Sequence, residues 1–193
     1  MVSTRFADRV RGQLGPLGRI VAKTHLTPNA ITIIGLILNV GVAAVIASGN
    51  LVLGGVLVLL AGGFDALDGA VARATGKTSQ FGGFLDSTLD RYSEAVVFAG
   101  LLIHLTRTDA GTIPVLLTYV TIVGSLMISY TRSKAEAIGI RGDVGIAQRL
   151  ERIIILALAL LVSEPVWGLW VLAILTQITA LHRILHVWWT TRA

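Results

Sequence analysis

Residues 65–90 read DALDGAVARATGKTSQFGGFLDSTLD and decide the fold. They form the pattern Asp65-x-x-Asp68-Gly69-x-x-Ala72-Arg73, eight residues, then Gly82-x-x-x-Asp86-x-x-x-Asp90. The residues on either side, 51–63 and 92–105, are almost all apolar. Carboxylates are costly to place in apolar surroundings unless a positive charge compensates them. The four aspartates, called the acidic cluster below, therefore need a cation.

The composition is that of a membrane protein. Of the 193 residues, 54% are hydrophobic and only 14% are charged, whereas about a quarter of a soluble domain is charged. Several apolar runs reach about 18 residues, enough to cross ~30 Å of hydrocarbon as helices. The sequence has no cysteine, which excludes disulfides, thiolate catalysis and cysteine-ligated metals. The net charge of +5 is explained by membrane topology, and no nucleic-acid partner is expected.

The pattern predicts an all-α integral membrane protein with six transmembrane helices in one domain, residues 1–193. Thr27 and Pro28 suit the N-cap and first residue of the first helix. The helices of the bundle, 28–189, are expected at 28 to about 48, 51–75, 80–105, 112–137, about 146–162 and about 166–189. Residues 3–23 carry charges around an apolar stripe, which predicts an amphipathic helix in the membrane interface.

Lysine and arginine placement predicts the orientation. With six spans, both termini and the loops near 75–80 and 138–145 share one side. Of the 16 basic residues, all except Arg107 lie on that side or in the helix ends that reach it. Positive residues mark the cytoplasmic side, so we expect a multi-pass protein of the cytoplasmic membrane with cytoplasmic termini. The acidic cluster lies at the same face, because a short loop joins the second and third helices.

The spacing of the acidic cluster predicts a metal site. Asp65 and Asp68 are three residues apart and Asp86 and Asp90 four, so each pair shares one helical face. Oxygen-only ligands suit Mg²⁺, Mn²⁺ or Ca²⁺, and four carboxylates can neutralise two divalent ions that clamp phosphoryl oxygens. Gly82, like Gly69, leaves room for a ligand. The alternative is that the aspartates form ion pairs with Arg73 and Arg91 or face water, but four at this spacing favour metal.

The pattern from Asp65 to Asp90 is similar to the signature of the CDP-alcohol phosphotransferase family, also called CDP-alcohol phosphatidyltransferases, and matches every fixed position of it. The resemblance implies transfer of a phosphatidyl-type group from a CDP-linked lipid, such as CDP-diacylglycerol, to an alcohol, with release of CMP. It also implies two Mg²⁺ or Mn²⁺ ions and a homodimer. The implied metal ligands are Asp65, Asp68, Asp86 and Asp90, with Asp90 also the general base. The implied nucleotide contacts are Asn29, Thr32, Asp65, Gly69, Arg73 and Ser79.

A second group of residues bears on the acceptor alcohol. Basic side chains cluster where the fourth and fifth spans reach the cytoplasm, and Arg183 follows in the sixth. Buried arginines usually have a partner, and their planar forks suit phosphate. The stretch from Ser129 to Glu136, with Arg141-Gly142-Asp143 and Glu151-Arg152, resembles the phosphatidylinositol-phosphate synthase branch. That resemblance implies inositol 1-phosphate bound by Ser129, Arg132, Arg152 and Arg183.

This chain departs from the branch at Gln148 and Leu150, since members of the branch have glutamate and proline at these positions.

Three alternatives stay open, one for the acceptor, one for the class of protein and one for the lipid donor. Glycerol 3-phosphate, the acceptor of phosphatidylglycerophosphate synthases, would use the same arginines. A divalent-cation transporter or channel would need polar groups through both leaflets, but the outer halves of the spans are almost wholly apolar. The lipid donor is either diacylglycerol-based or an archaeal ether.

Overall fold

The structure, a computed structural model, describes residues 27–75 and 79–192, and for 66–75 the helical backbone alone. These residues form six helices, α1 (Pro28–Ala47), α2 (Leu51–Thr75), α3 (Gln80–Arg107), α4 (Thr112–Ala137), α5 (Arg149–Leu161) and α6 (Pro165–Arg192). No strand is found in this part of the chain. The prediction of an all-helical protein is therefore confirmed. The predicted amphipathic helix at 3–23 lies outside the described residues.

Capping side chains explain why the first three helices begin where they do. The Thr27 hydroxyl oxygen accepts a hydrogen bond from the Ala30 N–H at 3.2 Å, which confirms it as the N-cap of α1. Asn50 Oδ1 accepts from the Leu53 N–H at 3.3 Å and starts α2. Ser79 Oγ accepts from the Gly82 N–H at 2.9 Å and starts α3. All three helices begin at the predicted residues.

The fifth helix differs from its prediction, because it begins at Arg149 and not near Ile146. The backbone of Ala147 is engaged by side chains instead. Its N–H donates to Thr179 Oγ1 at 3.1 Å, and its carbonyl accepts from Arg152 Nη1 at 2.9 Å. The helix has 13 residues, about 20 Å at 1.5 Å per residue, and is shorter than the hydrocarbon core.

Three of the described helices, α1, α4 and α6, are long and apolar enough to cross a membrane. The segment Leu51–Asp65 of α2 is a shorter apolar helix. These helices support a membrane protein. Six transmembrane spans remain a prediction.

The chain forms two compact units. The first comprises the described residues up to Gly41 together with Leu60–Val96, and it contains the acidic cluster. The second comprises Val42–Leu59 and the chain from Val97 onward, and it contains the basic residues of α4, α5 and α6. The prediction of one domain over 1–193 stays untested.

In the second unit α6 packs against both α4 and α5. Glycines permit the close approach. A Cβ atom on Gly124 would collide with the side chain of Thr176, and one on Gly168 would collide with Ala159. The buried residues Ile128, Ala147 and Ala180 form a small apolar core near the cytoplasmic end predicted for these helices.

Candidate functional site

The acidic cluster lies on α2 and α3, as predicted. The side chains of Asp65, Asp86 and Asp90 are partly buried. Asp86 and Asp90 are one turn apart on α3 and share a face. Three other predicted site residues, Asp68, Gly69 and Arg73, belong to the helical backbone of α2, but their side chains lie outside the described residues.

The Asp65 carboxylate lies against α1 at a glycine. A Cβ atom placed on Gly35 would be 2.7 Å from Asp65 Oδ1. Because Gly35 has no side chain, the carboxylate can occupy this position. Sequence reasoning missed Gly35, since nothing in its own neighbourhood marks it. Only the packing of α1 against the end of α2 reveals its relation to Asp65.

Two predicted nucleotide contacts, Asn29 and Ser79, meet at Gly82. A Cβ atom on Gly82 would be 3.0 Å from Ser79 Oγ and 3.2 Å from Asn29 Oδ1. These two polar atoms line the space beside Gly82, where the sequence predicts room for a ligand. The third contact on this helix end, Thr32, donates its hydroxyl to the Pro28 carbonyl at 3.0 Å. The start of α1 therefore faces the start of α3 with polar groups.

The residues of the first unit fit a hard divalent cation by their chemistry. The donors are carboxylate oxygens, partly withdrawn from water, and the gap at Gly35 is one that a Cβ would fill. Magnesium and manganese prefer such ligands. Among the described side chains no three acids or histidines are grouped closely enough to hold an ion. That search does not include Asp68, so the predicted four-carboxylate set remains a prediction.

In the second unit two of the predicted phosphate ligands are buried arginines. Arg152 and Arg183 are each 3% exposed. Arg183 donates from Nε to the Val144 carbonyl at 2.8 Å and from Nη1 to the Ile128 carbonyl. These bonds use two of the five guanidinium N–H groups. Arg183 therefore ties α6 to α4 and to the loop that contains Val144.

Arg132 and Ser129 lie on α4 beside this pair. Arg132 is half exposed, and its Nε donates to Glu136 Oε1 at 2.8 Å. Its charge and that of Arg152 both repel the charge of Arg183, while Glu136 and Asp143 attract it. The structure thus brings the three predicted arginines within electrostatic range of one another. Ser129, partly buried, directly follows the carbonyl that Arg183 binds.

The loop of residues 138–148 packs against α4 and α6 through contacts that the sequence does not predict. A Cβ on Gly142 would be 2.9 Å from both the Cα and the carbonyl oxygen of Arg132. Gly145 has φ +113°, and a Cβ there would collide with Thr179, whose hydroxyl accepts from Ala147. The backbone of the loop therefore contacts Arg132 at Gly142 and binds Arg183 through the Val144 carbonyl. Gly142 belongs to the Arg141-Gly142-Asp143 stretch noted in the sequence, whereas Gly145 and the buried Thr179 gave no signal there.

A buried carboxylate oxygen lies beside Arg152 in the chain. Glu151 Oε2 is fully buried and, among the described residues, has no hydrogen-bond partner. Burying such an atom without a partner costs about 1–3 kcal/mol or more for a charged group.

Comparison with known proteins identifies the family of this arrangement. A family model described as CDP-alcohol phosphatidyltransferase matches residues 25–189. Archaetidylinositol phosphate synthase from Pyrococcus horikoshii is 40% identical over 184 residues, covering 94% of this chain and 94% of that protein.

Solved structures agree. The crystal structure of Mycobacterium tuberculosis phosphatidylinositol phosphate synthase with CDP-DAG bound has a TM-score of 0.85 and 36% identity, covering 91% of this chain and 93% of that chain. The same enzyme in complex with manganese and citrate has a TM-score of 0.82 and 36% identity, covering 91% and 88%. With sequence and fold matched over nearly its whole length, this chain belongs to the CDP-alcohol phosphatidyltransferase family.

Proposed function

We propose that this transferase moves a phosphatidyl-type group from a CDP-linked lipid to a hydroxyl of inositol 1-phosphate and releases CMP. The observation that carries the acceptor assignment is the grouping of Arg132, Arg152 and Arg183 in the second unit. The relatives in Pyrococcus horikoshii and Mycobacterium tuberculosis, named for archaetidylinositol and phosphatidylinositol phosphate synthesis, support it. The donor is CDP-diacylglycerol or its archaeal ether counterpart.

The first unit would bind the donor. Asn29, Thr32, Ser79 and the acidic end of α2, with Gly69 and Arg73, would contact the nucleotide. Two divalent ions, Mg²⁺ or Mn²⁺, held by Asp65, Asp68, Asp86 and Asp90, would neutralise charge on the diphosphate oxygens. The manganese complex of the Mycobacterium tuberculosis enzyme supports a divalent ion in this family.

Asp90 would also act as the general base. Its carboxylate accepts the proton of the acceptor hydroxyl as the hydroxyl oxygen attacks the lipid-bearing phosphorus. The bond between that phosphorus and the oxygen bridging to CMP breaks, and CMP leaves with the electron pair. A carboxylate is a weak base at neutral pH, so its contribution depends on hydrogen-bond contact with the hydroxyl in the reactive complex.

The second unit would bind the acceptor. Arg132, Arg152, Arg183 and Ser129 would hold the phosphate monoester, because guanidinium groups bind phosphate through short charge-assisted hydrogen bonds.

We also propose a location and an assembly. The apolar helices α1, α4 and α6 support a multi-pass membrane protein. The lysine and arginine distribution supports cytoplasmic termini and an active site at the cytoplasmic face of the cell membrane. A homodimer is expected from the family resemblance alone.

An acceptor screen tests the proposal. Purified protein receives CDP-diacylglycerol, Mg²⁺ and one of inositol 1-phosphate, free inositol, glycerol 3-phosphate or serine, and CMP release is measured. Inositol 1-phosphate should turn over and free inositol should not, because the arginines bind the acceptor through its phosphate group. Turnover of glycerol 3-phosphate without inositol 1-phosphate would support the phosphatidylglycerophosphate alternative instead.

A further inference from the structure

In the first unit, Gly35 on α1 lies against the Asp65 carboxylate on α2. Gly35 lies on the buried face of α1. A Cβ atom there would be 2.7 Å from Asp65 Oδ1, whereas the next atoms, Asp65 Cγ and Phe64 Cδ1, would be 3.8 Å away. A carbon cannot approach an oxygen that closely, while 3.8 Å is ordinary contact. The carboxylate oxygen of Asp65 is thus the atom that any side chain at position 35 would displace.

The backbone at Gly35 is itself held in place. Asn39, 7% exposed, donates from Nδ2 to the Gly35 carbonyl at 2.9 Å. Thr32, Gly35 and Asn39 follow at steps of three and four residues, so they line one face of α1. The face of α1 that contacts Asp65 at Gly35 is therefore a polar strip on an apolar helix.

We propose that Gly35 is a positioning residue for the Asp65 carboxylate. By having no side chain, it allows Asp65 to keep the rotamer in which its oxygens are presented to a divalent cation and to the CDP group. The inference rests on the metal role given to Asp65 in the proposed function. Gly35 would influence metal binding only by leaving space for the Asp65 carboxylate, because it has no side chain that could contact the substrate.

The consequence of adding a methyl group at this position is specific. The colliding atom is the far end of a flexible side chain, so Asp65 moves to another staggered rotamer while the helices stay in place. Alanine is also a better helix former than glycine. Gly35→Ala should therefore leave the fold intact and disturb the ligand.

The test measures metal binding directly. Wild-type protein and Gly35→Ala are titrated with Mn²⁺ in the absence of substrate, and free Mn²⁺ is followed by electron paramagnetic resonance. The expected result is a loss of about 10- to 100-fold in Mn²⁺ affinity, the range typical when the support of a metal ligand is altered. The thermal unfolding midpoint should not fall.

The chain supplies a matched control. Gly41 is on the same helix, and a Cβ there would meet nothing within 4 Å. Gly41→Ala should therefore keep wild-type Mn²⁺ affinity. Equal losses in both variants would mean that any alanine in this helix disturbs binding, and would overturn the inference.

A double mutant separates a route through Asp65 from any other route. In an Asp65→Asn background, Gly35→Ala should cause no further loss of Mn²⁺ affinity, because the two changes act on the same group. Full additivity would refute the proposal. Tight wild-type binding with unchanged affinity in Gly35→Ala would refute this inference alone. Absence of Mn²⁺ binding to the wild type would refute the metal role in the proposed function as well.

Discussion

Replacement of Arg152 by alanine tests the acceptor site most sharply. The guanidinium is 3% exposed and donates from Nη1 to the Ala147 carbonyl at 2.9 Å. The variant removes a positive charge from the group formed with Arg132 and Arg183. It also removes the partner of the Ala147 carbonyl, although the N–H of that residue keeps its bond to Thr179. Two effects are therefore expected, one on the acceptor and one on stability.

The two effects have different sizes and different measurements. A hydrogen bond to a charged group contributes about 1.5–3 kcal/mol, which corresponds to a KM for inositol 1-phosphate raised about 10- to 150-fold. The KM for the CDP-lipid should change less than about threefold, because the residues assigned to the nucleotide belong to the other unit. Leaving a buried carbonyl without its partner costs about 1–3 kcal/mol of unfolding free energy.

Steady-state CMP release with each substrate varied in turn gives both KM values, and thermal unfolding gives the stability. The control is Arg141→Ala, because that side chain is 90% exposed and its Nη2 is 3.6 Å from Asp143 Oδ2. A solvated pair of this kind contributes little, so both KM values should stay within about twofold of wild type. A larger rise in the lipid KM than in the acceptor KM for Arg152→Ala would place the phosphate site elsewhere.

Two further predictions use the same assays. Asp90→Asn should lower kcat by about 10²- to 10⁴-fold, the usual contribution of a general base, with an unchanged unfolding midpoint; wild-type turnover would exclude the base role. Gly145→Ala should lose about 1–3 kcal/mol of unfolding free energy, because φ is +113° and a Cβ would collide with Thr179; an unaltered midpoint would contradict this.

Much of the helical framework was predictable because local signals determine it. Thr27 and Pro28 mark the start of α1, and the turn at Gly49 and Asn50 separates α1 from α2. The start of α5 was wrong by three residues for a reason that the local sequence does not contain. The backbone of Ala147 is bound by Thr179 on another helix and by the side chain of Arg152, so tertiary contacts displaced the helix start.

The same holds for the site. Some of its residues could be predicted from their residue type, whereas others are recognised only from the packing of the folded chain. Carboxylates on an apolar helix and arginines among apolar residues are visible because their burial needs a compensating charge. Gly35, Gly142 and Gly145 act by making room, and a glycine reveals this only when the atom that fills the room is known. At Gly82 the structure adds neighbours that the sequence does not reveal, since Ser79 Oγ and Asn29 Oδ1 lie beside it.

The central claim is that a phosphorylated polyol, held by the arginines, attacks the CDP-lipid. The most direct measurement offers inositol 1-phosphate and glycerol 3-phosphate together, at equal concentration, with CDP-diacylglycerol and Mg²⁺, and identifies the lipid products by mass spectrometry. The predicted result is a product with the mass of phosphatidylinositol phosphate, which retains the phosphate monoester, at least about tenfold over phosphatidylglycerophosphate. A mixture dominated by phosphatidylglycerophosphate, or a product that lacks the monoester, would contradict the claim.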